Sequence, residues 1–115
     1  MEVKQVIVMR KGKMVAQGAH ASMEWLKTWA FSDQMFTEAE AKWLRGDYAK
    51  VCVGVGSEED LLRIHNEALA SGLKSFIVTD HGKTEFHGQH TRTCLAIGPD
   101  YTGKIDCITG GLKLL

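Results

Sequence analysis

"SFIVTDHGKTEFHGQHTRTCLAIG", residues 75–98, decides the fold. Two apolar runs of strand length, Ser75–Asp80 and Thr93–Gly98, flank a dozen residues, His81–Arg92, that show no helical period. A parallel pair of strands needs a crossover, usually a helix. This link offers none, so it predicts an antiparallel return between the two runs. Upstream the spacing differs. "VKQVIVM" (Val3–Met9) reads as a first strand, Gly12 breaks it, and a helical period follows to about Ala30. Along that period Val15, Ala19, Met23, Leu26 and Ala30 recur as one apolar face. "TEAE" (Thr37–Glu40) matches a capping box before a short helix with Trp43 and Leu44, stopped by Gly46. "KVCVGV" (Lys50–Val55) reads as a buried strand. "SEED" (Ser57–Asp60) opens a helix with Leu61, Ile64, Ala68 and Leu69 on its core face, and Gly72 ends it. A last short helix is expected near Lys104–Ile108.

Helices between the first three strands imply parallel pairing with right-handed crossovers. The expected architecture is α/β: a four-stranded mixed sheet, last strand antiparallel, with helices on both faces. At 115 residues, with no repeat or low-complexity segment, the chain reads as a single domain, 1–115.

Composition narrows the function. Fourteen basic and fourteen acidic side chains give no global attraction to nucleic acid, although residues 1–30 carry a local excess of positive charge. No apolar run approaches the roughly 20 residues that span a bilayer. The start shows no secretory cleavage pattern, so a cytoplasmic protein without membrane partners is expected. Cys52, Cys94 and Cys107 are odd in number and form no C-x-x-C pair, which argues for free thiols. His81, His87 and His90 crowd one loop, but their spacing fits no zinc signature; neither metal nor cofactor is expected. Nucleotide-binding glycine motifs and a nucleophile elbow are absent from the sequence.

In open α/β sheets, ligands sit beyond the carboxyl ends of the parallel strands. The first strand ends there near Arg10, Gly12 and Lys13, and the third at Asp80. An antiparallel last strand begins at the same edge with Thr93. Lys13, Gln17, His20, Glu24 and Lys27 form a second stripe on the first helix, about 120° from the apolar one at roughly 100° per residue. Its N-terminal end, with free N–H groups and the positive end of the helix dipole, suits an anion. The residues alone leave two readings open for this stripe: a site, or a solvated charged face. Asp80 reads either as functional or as a turn-forming aspartate. Thr84 and Thr93 are individually uninformative.

"VIVMRKGKMVAQGAHAS", "SEEDLLRIHNEALASGL", "VTDHGKTEF", "TRTCLAIGP" and "IDCITGGLKLL" together resemble the archaeal and eukaryotic peptidyl-tRNA hydrolase 2 family, in the family's order and over nearly the whole chain. The resemblance implies a three-layer α/β/α sandwich and metal-free hydrolysis of the ester between a peptide and the tRNA 3′ end. It also implies a homodimer. Its lysine and glutamine fall on Lys13 and Gln17, its helix histidine on His20, its aspartate and threonine after strand three on Asp80 and Thr84, and the threonine opening its last strand on Thr93. Lys13, Asp80 and Thr84 are then the expected catalytic group, and Gln17, His20 and Thr93 the expected substrate contacts. No DNA partner is implied. The strand-to-helix loop, "RKGK", is shorter than the family's usual one, and Gly18-Ala19-His20 replaces its Cys-Ser-His. Two rivals therefore stand beside hydrolysis: a non-catalytic member that binds RNA or a protein, and a hydrolase of a smaller ester. The aromatic segment around Trp29–Phe36 is the expected dimer contact.

Overall fold

Strand β1, Val3–Arg10, is buried over Gln5–Met9, as expected of a β-branched run with neighbours on both sides. The computed structural model describes residues 1–10, 15–80 and 91–115. After β1 come α1 (Val15–Ala30), α2 (Glu38–Arg45), β2 (Lys50–Val55), α3 (Glu58–Ala70), β3 (Ser75–Asp80), β4 (Thr91–Tyr101), α4 (Thr102–Thr109) and β5 (Lys113–Leu114). The strands form one sheet in the order β3-β4-β1-β2-β5. β1 and β2 are parallel, with Ile7 beside Cys52 and Met9 beside Gly54. β4 runs antiparallel to both its neighbours, β1 and β3. The antiparallel return read from residues 75–98 is present.

Among the described residues the sheet has five strands where four were expected. The fifth is two residues long and pairs antiparallel with β2 through Val53–Leu114 and Gly54–Lys113. A two-residue strand shows no period that a sequence can carry.

Alternate residues of β1 enter two cores. Val6 and Val8 pack with Leu61, Ile64 and Ala68 of α3 and Ile105 of α4; Ile7 and Met9 pack with Ala21 of α1 and with Val78, Cys94 and Ala96. Helix starts follow their chemistry. Thr37 accepts from the Glu40 N–H at 3.1 Å while Glu40 accepts from the Thr37 N–H at 2.9 Å. Ser57 accepts from the Asp60 N–H at 3.1 Å.

Helix α1 corrects the expected apolar face. Ala19, Met23 and Ala30 are exposed and Leu26 is half-buried. The buried seam is Gly18, Ala21, Ser22 and Trp25. Small side chains let the helix come close to the sheet: a Cβ on Gly18 would lie 2.9 Å from Met9 Cε. The seam also holds a polar clamp. Ser22 Oγ donates to Gln5 Oε1 at 2.5 Å, and Gln5 Nε2 donates to the Ser22 carbonyl at 2.9 Å. Glycine and serine carry little hydropathy, so the periodicity picked the neighbouring stripe.

Candidate active site

The described residues place several chain ends at one rim of the sheet. β1 ends there at Arg10, β3 ends at Asp80, and β4 begins at Thr91, which the register sets beside Asp80. α1 and α3 start from the same rim, because each follows a strand that ends there. Arg10 Nη1 donates to the Arg92 carbonyl at 3.1 Å, and Arg92 Nη1 pairs with Glu58 Oε1 at 3.0 Å. These bonds tie β1, β4 and the first turn of α3 together. Sequence reasoning missed Arg92 and Glu58. Their signal is complementary charge at a strand start and a helix start, legible only once the pairing of β4 is known.

Lys13 and Thr84 lie outside the described residues, and so do His81, His87 and His90. Asp80 is placed by its backbone as the last residue of β3. Gln17 is half-buried on α1, and its carbonyl accepts the Cys94 thiol at 3.2 Å, which fastens the start of α1 to β4. His20 is exposed one turn along, with Nε2 2.6 Å from Glu24 Oε1. Thr93 is fully buried and its hydroxyl lies 3.5 Å from the Val78 carbonyl, so it faces protein and not solvent at the rim. The structure thus gathers Gln17, Thr93 and the Asp80 backbone near one end of α1 and the sheet, and sets His20 farther along the helix surface.

Burial pushes the Cys94 thiol up to about 11, with the Thr93 hydroxyl acting weakly the other way. A thiol held that high stays protonated at neutral pH and serves as a donor and packing group, not a nucleophile. Burial, followed by the nearby Arg92 charge, lowers His65, whose Nδ1 lies 2.8 Å from Ser75 Oγ. Among the described residues no three His, Cys, Asp or Glu side chains are grouped to hold a metal ion, and no helix is long and apolar enough to cross a membrane.

An open mixed α/β sheet that collects strand ends and a helix start at one rim belongs to the class of proteins that work on a ligand at that rim. The family model described as peptidyl-tRNA hydrolase PTH2 matches residues 1–115, and the chain belongs to this family. It is 45% identical to the peptidyl-tRNA hydrolase of Methanocaldococcus jannaschii, over 98% of this chain and 100% of that one. It is 43% identical to that of Nanoarchaeum equitans, over 97% of this chain and 98% of its relative. A solved structure of a protein of unknown function from Agrobacterium shares the fold, with a TM-score of 0.58 at 15% identity, covering 100% of this chain and 98% of that one.

Proposed function

We propose that the protein is a peptidyl-tRNA hydrolase, a carboxylic ester hydrolase that uses water to release a peptide from the tRNA 3′ end. Membership of the family along the entire sequence carries this reading. In the reaction a water oxygen attacks the ester carbonyl carbon and gives up a proton to Asp80, directly or through Thr84. Lys13 and neighbouring backbone N–H groups stabilise the oxyanion, a role worth about 3 kcal/mol per donor. The tetrahedral intermediate then collapses, the bond to the ribose oxygen breaks, and that oxygen takes up a proton. The products are a peptide with a free carboxylate and a tRNA with its hydroxyl restored.

Gln17, half-buried at the start of α1, orients substrate or water, and Thr93 supports that orientation from inside β4. His20 contacts the substrate on the polar flank of α1. This reading also includes a single domain with the three-layer α/β/α arrangement, a cytoplasmic site of action, and a homodimer joined through the Trp29–Phe36 region. Release of N-acetyl-peptide from a purified peptidyl-tRNA tests it. Lys13→Ala and Asp80→Asn should each lower kcat about a hundredfold or more. Full activity in both variants would remove the assignment, and tRNA binding without turnover would favour the non-catalytic rival.

A further inference from the structure

On the side of the sheet that α1 packs against, β2 shows Lys50, Cys52 and Gly54; Lys50 Nζ lies 5.0 Å over the Trp43 ring of α2, and Cys52 is exposed. Between this strip and α1 lies a groove of about 580 Å³, walled chiefly by Met9, Gly18, Ala19, Met23, Cys52 and Leu115. Its α1 wall is the Ala19–Met23 stripe whose spacing reads as a core face, yet Met23 is 58% exposed. The sequence supplies an apolar helix face that the chain's own packing does not use. Open apolar surface of that kind marks a binding site.

We propose that this groove receives the peptidyl part of the substrate and seats apolar side chains near the scissile ester. The proposal rests on the peptidyl-tRNA reading given above. Three observations choose the peptide as occupant. Two of its wall residues neighbour rim residues along the chain: Met9 precedes Arg10 at the end of β1, and Gly18 follows Gln17 on α1. α1 also divides by polarity. Gln17, Glu24, His20 and Lys27 follow one another around one side of the helix, with His20 Nε2 2.6 Å from Glu24 Oε1, and Ala19 and Met23 lie on the other side. A peptidyl-tRNA likewise divides at its ester carbon into a polyanionic half and a peptidyl half. Finally, the walls suit varied side chains. Met9 and Met23 are unbranched and adaptable, as a site accepting many peptides requires. Gly18 makes room for the Met9 side chain, since a Cβ there would lie 2.9 Å from Met9 Cε.

The test compares N-acetyl-dileucyl-tRNA with N-acetyl-diglycyl-tRNA on the same tRNA. The native protein should show at least about tenfold higher kcat/KM for the leucyl substrate, expressed in KM. Cys52→Trp, which fills the groove from β2, and Ala19→Leu, which fills it from α1, should bring the leucyl substrate down to the glycyl level. Turnover of the glycyl substrate should stay within about twofold of native in both. Ala19 is exposed on a helix, so Ala19→Leu decides the matter if Cys52→Trp does not fold. Equal kcat/KM for the two substrates in the native protein, or a full leucyl preference kept in the folded variants, overturns the groove proposal and leaves the hydrolase reading intact. Failure to hydrolyse either substrate overturns that reading and the proposal with it. In a Cys107→Ser background, alkylation of Cys52 that slows with protein concentration alone assigns the groove to a second copy and also overturns the proposal.

Discussion

Cys94 joins two roles at one atom. Its thiol donates to the Gln17 carbonyl, and its burial among Ile7, Met9 and Val78 holds the pKa near 11 against an ordinary 9.0. The folded state therefore keeps a proton that the unfolded chain loses first. This contribution to stability is fully present below about pH 9 and is lost as pH rises through 11, on the order of 2 kcal/mol in all. Over pH 8 to 11, denaturant midpoints should fall more steeply for the native protein than for Cys94→Ala; parallel curves would refute this. A thiol-reactive dye should modify exposed Cys52 and Cys107 quickly and Cys94 only on unfolding. At this scale the sequence was a partial guide. The place of Gln17 and His20 on one helix was legible, because a helix repeats on itself, whereas Lys13, read on the same stripe, lies outside the described residues. The Arg10–Arg92–Glu58 tie was not legible, because its members come from three elements far apart in the chain.

Among the elements, α2 was the easiest to read, since Thr37 and Glu40 sit three residues apart and cap each other as expected. The sequence did not reveal that Glu40 is also nearly fully buried and takes Lys74 Nζ on its second oxygen at 2.6 Å. Thr37→Ala should cost about 1 kcal/mol. Glu40→Ala should cost about 2 kcal/mol or more, losing the cap and a charge-assisted bond together, although Lys74 is exposed enough to regain water. Chemical unfolding measures both, and equal costs would show that Lys74 adds nothing. β4 ran longer than its apolar run predicted. Gly98-Pro99 reads as a break, yet the strand continues to Tyr101, with Asp100 beside Lys4 and Tyr101 beside Val3. Proline can sit there because pairing with β3 ends at Ile97 and the register with β1 shifts between Lys4 and Val6. Gly98, at φ +87°, is the hinge of that shift, and a Cβ on it would lie 2.8 Å from the Asp100 nitrogen. Gly98→Ala should destabilise the fold by about 2 kcal/mol or more, read as a lowered denaturant midpoint with an unchanged slope.

For the molecule as a whole, a net charge of zero leaves tRNA affinity to local cations at the rim. Binding of uncharged tRNA should fall steeply with salt, and Lys13→Ala should shallow that dependence by about one unit of slope; an unchanged slope would exclude Lys13 as a phosphate contact. At the far end of α1, Trp29 stacks on Phe36 with centroids 3.9 Å apart, while Phe31 and Met35 are 88% and 87% exposed. If that surface joins two copies, Phe31→Asp with Met35→Asp should convert a dimer to a monomer by light scattering, and a dimer that survives both changes uses another face. The sheet order has one more consequence, for synthesis. β1 is made first but lies between β2 and β4, and Met9 finds its partner Cys94 only after about 85 further residues have been added. Until then β1 and β3 each lack the strand that bridges them. A nascent chain therefore emerges from the ribosome with two apolar strand edges unpaired and exposed to chaperones or to neighbouring chains.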